Sequence, residues 1–165
     1  MSTFYLVTRW IHVLAGAAWF GEVAAIVFGI VPLIGKLPVD ERNRFLSRVF
    51  PRLFRLASML VVVSLGAGAV LNYQLTGWRN LGIYFASARW TILFVGAALG
   101  LGLGMGLFHF IVEPKLEGRI QALVEADDRE SMEKVTRFLQ ISPRIGFIIL
   151  IVVMVLMMAF SRGWD

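Results

Sequence analysis

The sequence predicts an all-α fold: an integral membrane four-helix bundle built from two helical hairpins related as a parallel repeat. Three observations predict it. Of the 165 residues, 58% are hydrophobic and 16% charged, with a mean hydropathy of +0.76, a balance that excludes a water-soluble globule. Four apolar runs reach the roughly 20 residues a helix needs to cross a bilayer. Two stretches of the chain repeat the same uncommon residues in the same order. One transmembrane domain over residues 1–165 is therefore expected, with repeat one at about 1–80 and repeat two at about 81–165.

The first run spans about Trp10 to Ile34 and carries Arg9, His12 and Glu22 in or beside it. No basic segment precedes it and it is too long for the core of a signal peptide, so it is expected to be retained. Pro32 is expected to end it. Val39 to Phe50 reads as an amphipathic helix begun by Pro38 and Asp40, leading into the second run, Leu53 to Leu75. The third run, Trp90 to Val112, is expected to stop at Pro114. From Lys115 to Gln140, Ile120, Leu123, Val124, Met132, Val135 and Leu139 fall among charges, the pattern of an amphipathic helical extension. The charged stretch Asp127 to Glu130 marks its turn. Ile145 to Phe160, with flanks, is the fourth run. Neither connecting segment holds a phosphate-binding or catalytic motif, and both read as solvated helix ends resting on lipid headgroups.

Orientation follows from the basic residues. Lys36, Arg42, Arg44, Arg48, Arg52 and Arg55 fall in the first connection and Lys115, Arg119, Arg129, Lys134, Arg137 and Arg144 in the third, which is 12 of the 16 Lys and Arg. Both connections are expected in the cytoplasm of a bacterial inner (plasma) membrane, with the two termini and the short second loop outside. Trp10, Trp78, Trp90 and Trp164 fall near the outer boundary this implies, as an interfacial belt requires. The net charge of +5 lies between apolar runs, so it suits anionic headgroups rather than nucleic acid.

The repeat is specific. Arg9-Trp10 is followed after five residues by Gly16-Ala17-Ala18, and Arg89-Trp90 after five residues by Gly96-Ala97-Ala98. Arg44-Phe45-Leu46 precedes Pro51-Arg52-Leu53, as Arg137-Phe138-Leu139 precedes Pro143-Arg144-Ile145. Helices one and three then run the same way, and a pseudo-twofold axis along the membrane normal relates the halves. Residues kept by both halves, such as Arg52 and Arg144, read as scaffold. His12, Glu22, Asn72 and His109 have no counterpart, and function has room to reside there.

With no cysteine in the chain, any metal must be held by His, Met or carboxylate groups. Depth along the helices places His12, Asn72, Tyr73 and Arg89 near the outer surface, Glu22 and Ser64 near the midplane, and Met59, His109, Glu113 and Arg144 near the inner surface. The two histidines are thus expected roughly 20 to 25 Å apart, which excludes a bis-histidine haem within one monomer. Met105, His109 and Glu113 recur every fourth residue, a stripe that suits copper or a divalent ion, or else interhelical packing and hydrogen bonding. His12 near Met154, Met157 and Met158 gives a second candidate copper site, with core packing as the other reading of the methionines. Arg9 and Arg89 suit porphyrin carboxylates or lipid phosphate. Glu22, an ionisable group near the bilayer centre, must face the bundle, as a proton relay or as a neutral carboxyl bonded to a neighbouring helix. The sequence alone offers nothing to complete a proton wire from it. Gly96, Gly100 and Gly104 form a small-residue stripe that admits a neighbouring backbone or a flat cofactor.

The opening Arg9-Trp10-Ile11-His12-Val13-Leu14-Ala15-Gly16-Ala17-Ala18-Trp19-Phe20-Gly21 resembles the first helix of the copper resistance protein D (CopD-like) membrane family, and of the related HemJ-type protoporphyrinogen oxidases and urate oxidase membrane domains. The basic Phe/Arg segment of residues 44 to 55 is also similar. The resemblance covers about the first 75 residues. It implies a polytopic bacterial membrane protein handling copper or a tetrapyrrole such as haem b, with His12 as the carried-over ligand.

Three functions are consistent with these features. One is copper or haem binding through His12, with His109 as a second candidate ligand, for metal handling or electron transfer. Another is a non-catalytic subunit docking into a larger membrane complex, or pairing as a homodimer. The third is a proton-coupled transporter using Glu22.

Overall fold

The computed structural model describes residues 2–76 and 103–161, with side chains described for 2–74 and 103–159. Arg89, Trp90, the second loop and most of the third apolar run, including Gly96 and Gly100, lie outside the described residues. Every described element is helical: α1 (Thr3–Ala25), a π-helical turn π1 (Ile26–Ile30), α2 (Val31–Ile34), α3 (Val39–Thr76), α4 (Gly104–Leu107), a second π-helical turn π2 (Phe108–Val112), α5 (Glu113–Glu125) and α6 (Arg129–Ser161). Three stretches are long and apolar enough to cross a membrane: Thr3–Ile34, Val39–Gln74 and Arg129–Ala159. Much of their apolar surface faces outward, with Val7, Ile11 and Leu14 exposed on α1 and Ile141, Ile145, Ile148 and Val152 on α6. That distribution suits a lipid surround, in which buried apolar area no longer drives association.

Pro32 and Pro114 do not end their helices. Proline lacks an N–H and its ring crowds the carbonyl four residues back, yet the helical path continues on either side of both. A wider turn accommodates each one. Val31 N–H reaches back five residues to Ile26, and Glu113 N–H reaches back five residues to Phe108. Each proline then occupies the first turn of the next α-segment, where its missing donor costs nothing. The two π-turns and two prolines are offset by the same 82 residues, from 26 to 108 and from 32 to 114. Pro51 and Pro143 likewise sit inside α3 and α6.

α1 and α3 form an antiparallel hairpin around the turn at Gly35 to Pro38, since His12 meets Ser64 at one end while Ile34 packs with Leu46 and Phe50 at the other. α5 and α6 form a second hairpin. Its turn is closed by Asp128 N–H on the Leu123 carbonyl and Asp127 N–H on the Val124 carbonyl, a Schellman pattern. Asp127 takes the left-handed position at φ 47°, which glycine usually fills. Asp128 then caps α6 by accepting from Ser131 N–H at 3.0 Å.

Two cores lie among the described residues. Ile34, Leu46, Phe50, Ile120, Met132, Val135 and Leu139 bury one another where the basic segments meet. The amphipathic connections therefore pack face to face and do not rest separately on headgroups. An ion pair from Arg42 to Glu133, 2.9 Å, bridges α3 and α6 at its edge. The second core joins Trp19, Val23, Val27, Val61, Met105 and Leu150 within the apolar spans. Gly106 allows α4 to approach α3, because a Cβ there would lie 3.2 Å from Leu65 Cδ1.

Candidate intramembrane acid–base site

His109 sits in π2 and Glu113 opens α5. The two side chains are each 6% exposed, and Nδ1 of His109 lies 2.6 Å from Oε1 of Glu113. At that distance the two groups share one proton position, on the imidazole or on the carboxyl. The Trp19 ring meets the imidazole edge-on, with centroids 5.5 Å apart. Glu22, one turn along α1 from Trp19, lies within electrostatic reach of both His109 and Glu113. Sequence spacing gave Glu22 no neighbour, yet tertiary packing brings two ionisable groups within its electrostatic reach.

These groups are unusually short of hydrogen bonds. Among the described residues, both Glu22 oxygens, His109 Nε2, Glu113 Oε2 and Trp19 Nε1 are inaccessible and have no hydrogen-bond partner, while His109 Nδ1 has only Glu113. A buried polar group left unpaired costs about 1–3 kcal/mol, so their clustering at one level is expensive. Beside them lies a cavity of about 390 Å³. His109, Glu113 and Ser142 are its polar lining residues; the rest of the wall is apolar, with Phe50, Phe54, Phe108 and Phe138 supplying rings. Met105, a turn before His109, lines the same cavity.

His109 meets the Trp19 ring and shares a cavity wall with Val23 and Ile26, levels that lie roughly 10 to 20 Å of helical rise beyond His12. His12 itself lies beside Ser64, so the outer and midplane groups are neighbours. Its Nδ1 donates to the Ser64 carbonyl at 2.8 Å, and its ring occupies space left by Gly68, where a Cβ would lie 3.0 Å from Cε1. A carbonyl only accepts, so the proton is on Nδ1 and Nε2 keeps the lone pair. Met154 and Met158 are exposed on α6 rather than packed in a core, and Arg9 is exposed at the start of the chain. No group of three or more His, Asp or Glu suited to a metal occurs among the described residues.

Residues 14–123 match a family described as a domain of unknown function, DUF4149. No curated protein matches the chain, and no solved structure does. The matched stretch begins two residues after His12 and contains Glu22, Met105, His109 and Glu113.

Proposed function

The chain belongs to the DUF4149 family, whose description names no activity, and from its site we propose a multi-pass membrane protein that binds and releases protons at Glu22, His109 and Glu113, coupling them to a small molecule in the adjoining cavity. One observation carries this reading. A buried His109–Glu113 pair packs against Trp19 of the first apolar span with Glu22 in electrostatic reach, and both Glu22 oxygens, His109 Nε2 and Glu113 Oε2 find no partner among the described residues. Polar groups kept for architecture are normally satisfied, whereas ionisable groups in a bilayer mark proton and substrate paths.

The geometry supports a simple relay. Imidazole can take a proton on one ring nitrogen and give it up from the other. Glu113 Oε1 adjoins Nδ1, leaving Nε2 for a second exchange. Trp19 and the phenylalanines give the pair an apolar surround, which strengthens electrostatic interactions there. In the same reading the chain crosses the bacterial inner membrane four times as two parallel-repeat hairpins, with the basic core cytoplasmic and both termini outside. The 12-to-4 division of basic residues and the equal offset of the two π-turns support it.

The test uses Trp19 as a reporter, with Trp10, Trp78, Trp90 and Trp164 replaced by Phe. Protonated imidazole quenches a neighbouring indole, so Trp19 fluorescence is expected to titrate with pH in lipid nanodiscs. His109→Gln should abolish the titration, and Glu22→Gln or Glu113→Gln should shift it. A flat, pH-independent signal in the parent protein would refute the reading.

A second reading keeps the copper or haem that the CopD-like resemblance implies. His12 supports it, because a carbonyl fixing Nδ1–H while Nε2 stays available is how ligating histidines are oriented. The residues fit one imidazole ligand; Met105 and His109 add a second place with soft and imidazole donors. A bound haem or copper would supply one-electron chemistry. A Soret band or stoichiometric copper, lost in His12→Ala, would favour this reading.

A further inference from the structure

The outward face of α3 carries a row of arginines that no carboxylate neutralises. Arg44, Arg48, Arg52 and Arg55 are all exposed, and helical spacing sets them within an arc of about 80° over roughly 17 Å of rise. None of them enters an ion pair among the described residues, whereas Arg42, Arg129, Lys134 and Arg137 all do. Within α3 the acidic residue on the same arc is Glu41, at the end farthest from the apolar span. Like charges a turn apart on one helix face repel, so the row suits an anionic partner.

The repeat supplies a comparison inside the chain. Arg44 and Arg52 have counterparts in Arg137 and Arg144, but the positions matching Arg48 and Arg55 hold Gln140 or Ile141, and Phe147. Anchoring common to both halves therefore leaves Arg48 and Arg55 unexplained. Arg55 is also oriented: its Nε donates to the Pro51 carbonyl at 3.2 Å, which leaves the two terminal nitrogens of the fork for a ligand. A guanidinium meets phosphate oxygens two at a time, as an ammonium does not, and α3 contains no lysine.

The surface beyond the row selects among phosphate-bearing molecules. From Leu56 to Thr76 α3 has no charged residue, a length that crosses the hydrocarbon, so Arg55 sits at the level of lipid phosphates. Met59 and Val62, 57% and 54% exposed, continue the same arc into the apolar span, and the space over Gly66 is open. A free phosphate would use the arginines alone, whereas a phospholipid uses both parts. A zwitterionic headgroup brings its own cation toward the row, which favours a net-anionic one.

We propose that the outward face of α3 holds one anionic phospholipid, its phosphate clasped by Arg48, Arg52 and Arg55 and a chain laid along Met59, Val62 and Gly66. Helical spacing turns this face away from Phe54 and Ala57, which line the cavity. The site is therefore separate from the acid–base cluster and does not depend on it.

Native mass spectrometry of the full chain in a neutral detergent counts bound lipids as dioleoylphosphatidylglycerol is added, with dioleoylphosphatidylcholine and glycerol phosphate as comparisons. The first phosphatidylglycerol should bind about tenfold more tightly than phosphatidylcholine, and glycerol phosphate should neither bind nor compete at the same concentrations. Arg48→Gln combined with Arg55→Gln should weaken that first site by about tenfold. Arg48→Lys combined with Arg55→Lys keeps the charge, loses the fork, and should weaken it by a smaller factor. Arg137→Gln combined with Arg144→Gln removes the same charge from the second half of the chain and should leave the first site unchanged. Equal affinity for the two lipids, or equal losses in the two Gln pairs, overturns the proposal, because attraction to the whole basic surface would then explain the binding. Undiminished affinity in the Lys pair overturns the guanidinium clasp. Displacement of the lipid by glycerol phosphate overturns the lipid assignment and leaves a site for soluble phosphate.

Discussion

His12 Nδ1 donates to the main-chain oxygen of Ser64 across 2.8 Å, and Gly68 leaves the space in which the imidazole lies. That arrangement fastens α1 to α3 inside the apolar span. Interhelical hydrogen bonds in membranes contribute about 0.6 kcal/mol on average. His12→Ala should therefore destabilise by about 0.5–1.5 kcal/mol. Gly68→Ala should cost at least as much, because its Cβ displaces the ring. The double variant should fall well short of the sum, since either change removes the same contact. Unfolding in mixed micelles measures all three, and strict additivity would contradict the arrangement.

Glu22 should be costly to keep. Both of its oxygens are buried without partners among the described residues. Replacing an unsatisfied buried polar group with an apolar one relieves its desolvation penalty. Glu22→Leu is expected to stabilise the protein by about 1–3 kcal/mol while shifting the pH response of Trp19. A loss of stability instead would identify Glu22 as an architectural carboxyl.

The core formed by the basic segments depends more on its apolar contacts than on its ion pair. Arg42→Ala breaks a contact to Glu133, which is 44% exposed, and partly exposed pairs contribute about 0–1 kcal/mol. Leu46→Ala empties a fully buried position, a change that costs about 2–5 kcal/mol. Proteolysis of the α3 and α5–α6 segments should follow that order.

The α5–α6 turn should respond to acid. The Ser131 backbone N–H holds the Asp128 carboxyl below its ordinary range. A lowered folded-state pKa contributes stability that is present above the unfolded value of 3.8 and lost as pH falls through the folded value. Hydrogen exchange at Ser131 should therefore accelerate only below that ordinary value, and Asp128→Asn should remove the dependence. Asp127→Gly should stabilise the turn by about 1 kcal/mol, because it removes left-handed strain from a side-chain-bearing residue.

Periodicity and composition made the long helices, the amphipathic connections and the turn at Asp127 to Glu130 legible, because each rests on local residue pattern. Pro32 and Pro114 read as stops, since local rules allow no donor there; the wider turns that rescue them are cooperative and leave no mark in hydropathy. Met105, His109 and Glu113 were legible as one stripe, and Glu22 as a group requiring explanation. Their proximity was not, because it depends on which faces of separate helices turn toward each other, and hydropathy does not record that. The His12 contact with Ser64 was equally hidden: a main-chain acceptor carries no residue signature.

The paired π-turns have a mechanical consequence. Each interrupts the α-helical path with a compliant coupling, since helical bends concentrate at prolines and π-bulges. One coupling lies a turn beyond Glu22 and the other contains His109 and ends at Glu113. Swivelling of the basic ends about these joints would alter the spacing of the carboxylates before it strained the lipid-facing lengths, so the charged half of the molecule holds leverage over the acid–base half.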